Sequence, residues 1–78
     1  MPVWVYALRS DTTGRRYVGI TAHLQHRVRQ HNNGQTRSTR TEVPWRLIYR
    51  EFCPDYPYAR EREKFLKSGQ GRAFLDTL

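Results

Sequence analysis

Arg15-Arg16-Tyr17-Val18-Gly19-Ile20-Thr21, continued by Ala22-His23-Leu24-Gln25-His26-Arg27-Val28-Arg29-Gln30-His31, is the stretch on which the fold turns. Residues 15–20 form a short β-like run. Thr21 then reads as the N-cap of a helix over residues 22–32, its hydroxyl accepting a bond from an amide of the first turn. Leu24 and Val28 give that helix an apolar stripe. Arg27 and His31, four apart, share a face beside it. His23, His26, Arg29 and Gln30 lie further round, and Asn32-Asn33-Gly34 is a stop signal.

Working upstream, residues 3–9 alternate, with Val3, Val5 and Ala7 on one face and Trp4, Tyr6 and Leu8 on the other. This predicts a strand covered on both faces. Residues 10–14, Ser-Asp-Thr-Thr-Gly, form a turn of hairpin length. Pairing across it sets Tyr6 and Tyr17 in neighbouring rows of one sheet. Gly19 would leave a gap where a backbone or a phosphate can approach.

Working downstream, residues 35–43 are polar and carry Arg37 and Arg40, which predicts a mobile loop. A third strand is expected over 45–52, where Trp45, Leu47 and Tyr49 alternate with Arg46, Ile48 and Arg50. After the break at residues 53–57, a helix is expected over 58–68. There Ala59, Arg62, Glu63 and Leu66 share a face and Phe65 widens the stripe. Gly69 should end it, and a short helix over 72–77 follows. The class is therefore α/β of the α+β type, in the order β-β-α-β-α-α: a small three-stranded, largely antiparallel sheet flanked by helices.

Seventy-eight residues leave room for one modest core, so residues 1–78 read as a single domain. No apolar run approaches a membrane span, and the chain opens directly on a strand pattern. Cys53 is the sole cysteine, which excludes an internal disulfide and fits a cytoplasmic setting. The net charge of +7 is uneven. Residues 1–40 hold seven Arg against Asp11 alone, whereas residues 41–78 nearly balance. A basic half suits a polyanion, and the excess of Arg over Lys suits phosphate.

Two phenols, an arginine and a histidine converging where a strand meets a helix suggest phosphodiester chemistry. Trp4-Val5-Tyr6, Tyr17-Val18-Gly19, Arg27-x-x-x-His31 and Ala59-x-x-x-Glu63 stand in an order and spacing that resembles the GIY-YIG nuclease family. The resemblance runs from Val3 to about Gly69. It is strongest to small single-domain bacterial proteins related to the excinuclease C nuclease domain. It implies a metal-dependent endonuclease that hydrolyses DNA, acting in repair or on branched or single-stranded structures. The catalytic residues would be Tyr6, Tyr17, Arg27, His31 and Glu63. Glu63 would hold one Mg2+ or Mn2+, and one of the tyrosines would activate water. Trp4 and Val5 replace the family's Gly and Ile. Ile20 stands where the excinuclease branch has a lysine, so Arg16, Lys64 or Lys67 would have to supply that cation.

Arg16, Gly19, Arg37, Arg40, Lys64 and Lys67 are the expected nucleic-acid contacts. His31 can serve as a base or as the partner that orients a tyrosine, and the partner role is preferred. Glu63 can alternatively pair with Arg27 or Arg62. DNA, whether duplex, branched or single-stranded, is the expected partner, with a homodimer or a second protein to target so small a domain. A binding module on the same scaffold with little catalysis is the alternative, and a basic protein-interaction domain is a third.

Overall fold

Hydrogen bonds from Ser10 N to the Arg15 carbonyl (2.8 Å) and from Gly14 N to the Ser10 carbonyl (3.0 Å) close the first hairpin. Gly14 takes a positive φ of 76° there, a region that disfavours residues with a Cβ. The computed structural model describes residues 2–78. Strand β1 (Val3–Ser10) pairs antiparallel with β2 (Arg16–Thr21) on one side and with β3 (Trp45–Cys53) on the other, giving the sheet order β2-β1-β3. A one-residue bulge in β3 separates the pairs Ala7–Tyr49 and Leu8–Leu47.

The alternation along β1 divides the core in two. Val3, Val5 and Ala7 pack with Cys53, Ala59, Leu66 and Leu75, beneath helices α2 (Tyr56–Lys67) and α3 (Gly69–Asp76). Tyr6 and Leu8 pack with Leu24 and Trp45, beneath helix α1 (Leu24–Asn32). The expected α+β class and element order are therefore those of the structure, with one helical layer on each face.

Several boundaries differ from expectation. Helix α1 starts at Leu24 rather than residue 22, and its N-cap is His23. Thr21 is still a strand residue paired with Trp4, and its hydroxyl accepts from His23 N (3.0 Å) one step before the helix. Helix α2 starts two residues early because Asp55 caps it, accepting from Tyr58 N at 2.9 Å, with Pro57 in the first turn. Helix α3 starts at Gly69, not residue 72. Ser68 closes α2 and caps α3 through its hydroxyl, which accepts from Gly71 N (3.2 Å). Gly71 seats that corner: a methyl in its place would stand 2.0 Å from the Phe65 carbonyl oxygen.

The segment of residues 35–43 is pinned rather than a free loop. It contains a 3-10 turn, η1 (Arg40–Glu42), and buries Thr39 and Glu42. Glu42 accepts from the Thr13 hydroxyl (2.7 Å) and from Arg15 (3.1 Å), and its carbonyl accepts from the Ser10 hydroxyl (2.6 Å). Buried polar groups need partners, and these lie about thirty residues away in the hairpin, beyond the reach of a local pattern.

Candidate active site

The β1–β2 register sets Tyr6 opposite Gly19 and Leu8 opposite Tyr17. Tyr6 and Tyr17 are therefore diagonal neighbours on the α1 face, with ring centroids 6.3 Å apart. Gly19 is not the open gap expected from the sequence. The Tyr6 ring leans over it, and a Cβ there would lie 2.7 Å from the Tyr6 hydroxyl and 3.1 Å from the Tyr17 ring. Gly19→Ala should consequently push the phenol off its partners. The sheet should still form, and a Gly19→Ala protein whose structure keeps the Tyr6–His31 hydrogen bond would contradict this.

Tyr6 is 1% exposed and His31, from α1, is fully buried beside it. The Tyr6 hydroxyl and His31 Nε2 are 2.9 Å apart, and His31 Nδ1 lies 2.8 Å from the Thr39 hydroxyl. Thr39 uses its own proton on the Thr36 carbonyl (3.3 Å). Nδ1–H must then donate to Thr39, which leaves Nε2 as the acceptor of the Tyr6 proton. The order Tyr6 to His31 to Thr39 to the Thr36 carbonyl is a continuous hydrogen-bonded line leading into the pinned segment. Thr39 was invisible to sequence reading, since its one signal is a Thr among other Thr and Ser residues.

Burial, and then the Arg27 charge, lower the His31 pKa to about 4. The unfolded imidazole protonates near pH 6.5. Between these values the unfolded chain binds more protons, so stability falls as pH drops from about 6.5 to about 4, by roughly 3 kcal/mol. The His31 ring resonances should stay fixed from pH 8 down to about 5.5. Movement centred near 6.5 would show that the imidazole is open to solvent.

Burial also raises the Tyr6 pKa. The Arg27 contact opposes that, and the Tyr17 and Glu63 charges add to it. Arg27 leans against both phenols. Burial disfavours its charge, but the neighbouring Tyr6 phenol, and then that of Tyr17, outweighs this and raises its pKa. Its Nη1 also donates to Gln30 Oε1 (3.1 Å), which fixes the side chain along α1. Tyr17 is half-buried, with its ring 4.8 Å from His31. It borders a groove of about 670 Å³ that also contains Arg16, Lys67 and Arg72.

Glu63 comes from the other layer. It lies between Ala59 and Leu66 on the inward side of α2, with its side chain 27% exposed. Its link to the cluster is its charge, felt at Tyr6. Its hydrogen-bonding partner is Lys67, one turn on (3.3 Å), rather than Arg27 or Arg62. Arg62 pairs with Glu51 (3.0 Å). Among the described residues no three His, Cys, Asp or Glu side chains converge to hold a metal.

The expected nucleic-acid contacts are scattered. Arg16 is paired with Asp76, and Lys67 with Glu63. Arg37, Arg40 and Lys64 are exposed. No helix among the described residues is long and apolar enough to cross a membrane.

The profile of the GIY-YIG catalytic domain matches residues 2–73. A UPF0213 protein of Desulfotalea psychrophila is 35% identical over 68 residues, covering 85% of this chain and 62% of that protein. A UPF0213 protein of Autographa californica nuclear polyhedrosis virus is 41% identical over 68 residues, covering 83% of this chain and 64% of its own. The chain thus spans less than two thirds of the length of these curated relatives. The solution NMR structure of a UPF0213 protein from Bacillus halodurans superposes with a TM-score of 0.60 at 28% identity, covering 99% of this chain and 84% of that one. With a match that takes in both strand tyrosines, the helix arginine and histidine, and the α2 glutamate, the chain belongs to the GIY-YIG family.

Proposed function

We propose that the chain is a divalent-metal-dependent endonuclease that hydrolyses phosphodiester bonds in DNA. The observation that carries this is the diagonal pair of Tyr6 and Tyr17, fixed by the hairpin register, with the Arg27 charge close enough to act on both. In this mechanism Arg27 grips the scissile phosphate and balances the charge that builds up on it. Tyr17, the less buried of the two phenols, accepts the proton of the attacking water when in its phenolate form, whose negative charge Arg27 offsets. Tyr6 is a positioning residue instead. Its hydroxyl donates to a buried, neutral imidazole, and its raised pKa keeps it protonated and so unavailable as a base at neutral pH.

Magnesium and manganese are hard cations that accept one or two carboxylates and complete their shell with water and phosphate oxygens. Glu63 fits such a site: it is inward-facing, and among the described residues exposed Lys67 is its one hydrogen-bonding partner to displace. When bound, the cation supplies Lewis-acid stabilisation of the phosphate oxygens.

The test is cleavage of labelled duplex, branched and single-stranded DNA, and of RNA counterparts, with magnesium, manganese or chelator. Cleavage that needs the metal supports the nuclease. Binding without cleavage in any metal leaves a binding module on the same scaffold.

A further inference from the structure

Helix α1 divides its face of the sheet into two flanks. Arg27 faces the β2 side, toward Tyr6 and Tyr17. On the β3 side, Asn32 holds the Trp45 backbone through two hydrogen bonds (3.0 and 2.6 Å). Gln25 and Arg29, seven and three residues before Asn32, fall on that same flank. There they border a groove of about 410 Å³ with His26, Trp4 and Arg50. Phe52, opposite Trp4 in the β1–β3 ladder, stands next to it and is 58% exposed. Its ring meets Trp4 edge-on, with centroids 5.4 Å apart, and the Arg50 guanidinium sits 5.6 Å above the Trp4 ring.

Two features select the occupant. The groove lining contains two arginines and two histidines but no carboxylate. It also presents an exposed ring, braced edge-on by a tryptophan. Cations set beside an open aromatic platform suit a chain that carries phosphates and flat, unpaired bases. A duplex keeps its bases stacked inside and can offer only its phosphates.

We infer that the Trp4–Phe52–Arg50–Arg29 groove binds single-stranded nucleic acid, with a base stacked on Phe52 and the backbone phosphates on Arg29 and Arg50. Trp4 precedes Tyr6 by two residues on the same face of β1, about 7 Å along the strand. The groove thus lies on the same face of the sheet as Tyr6 and Tyr17, on the other flank of α1. It selects a substrate with an unpaired segment. This inference rests on the reading that the chain acts on nucleic acid, and it does not need cleavage.

The test is fluorescence anisotropy of the wild-type chain with labelled 15-nucleotide oligo(dT) and with a 15-base-pair duplex, in chelator, so that binding is read whether or not the protein cleaves. Wild type should prefer the single strand. Phe52→Ala should lose about tenfold or more on oligo(dT) and less than about twofold on the duplex. Arg29→Gln should flatten the oligo(dT) salt slope by about 0.7. Thermal melts of both variants should match wild type, because both side chains are exposed. Equal losses on the two probes, an unchanged oligo(dT) affinity for Phe52→Ala, a preference for duplex, or no binding to either probe would each overturn the assignment. Metal-dependent cleavage of fully paired duplex alongside any of these would retain the nuclease and remove only this groove.

Discussion

Glu63→Gln should leave a protein that no longer cleaves yet binds nucleic acid in metal-free buffer as well as wild type, or slightly better. The substitution keeps the side chain's shape and removes one negative charge from a basic surface. The carboxylate's hydrogen bond runs to exposed Lys67 across one helical turn, a pairing worth only about 0.3–0.5 kcal/mol. The melting temperature should therefore barely move, which separates loss of metal binding from loss of the fold. A buried ion pair with Arg27 or Arg62 would have confounded the two, since breaking one costs about 3–5 kcal/mol. Neither pair forms: Arg27 is engaged with Gln30 and the phenols, Arg62 with Glu51. Normal cleavage by Glu63→Gln would remove the metal from Glu63.

Arg27→Ala should behave differently, losing both binding and turnover. Turnover should fall by roughly 10²–10³-fold, the cost of one preorganised donor aimed at developing charge. Arg27 also carries the cation that faces Tyr6 and Tyr17, so any negative charge arising on a phenol loses its counter-charge. Arg27→Lys tells the two contributions apart. A lysine keeps the charge but not the two-pronged grip on phosphate, so binding should recover more than kcat. A single-turnover assay that shows equal rates for Arg27→Ala and wild type would place the phosphate clamp elsewhere.

Where the pattern was local, the sequence was legible. The alternation of Val3, Val5 and Ala7 against Trp4, Tyr6 and Leu8 predicts two covered faces, and two cores are found. The i, i+4 spacing of Arg27 and His31 puts one beside the phenols and the other beneath them. Contacts between distant segments were not legible. Glu42 looks like a solvated loop residue until the hairpin meets it, and Thr39 until His31 does. Thr21 looks like a cap until its pairing with Trp4 is known. Phe52 reads as the end of a strand, because its meeting with Trp4 depends on a register across forty-eight residues. Gly19 was noticed for the wrong reason, as space for a ligand, although the space belongs to Tyr6.

The strand at the middle of the sheet is also the first of the three in the chain, which sets the order in which the molecule can be made. The hairpin of β1 and β2 closes through a short turn and places both phenols before most of the chain has left the ribosome. A lone hairpin is marginal in water. Its second edge is satisfied only when β3 arrives, with Cys53 finding Val3 fifty residues back. Pairing β3 with β1 closes a longer loop than the turn between β1 and β2, at a correspondingly larger entropic cost. The tyrosine pair therefore depends on local pairing for its register and on distant pairing for its support, and Glu63 lies further along the chain than either strand. A chain stopped short of β3 would carry both phenols but lack the partner strand that completes the sheet around them.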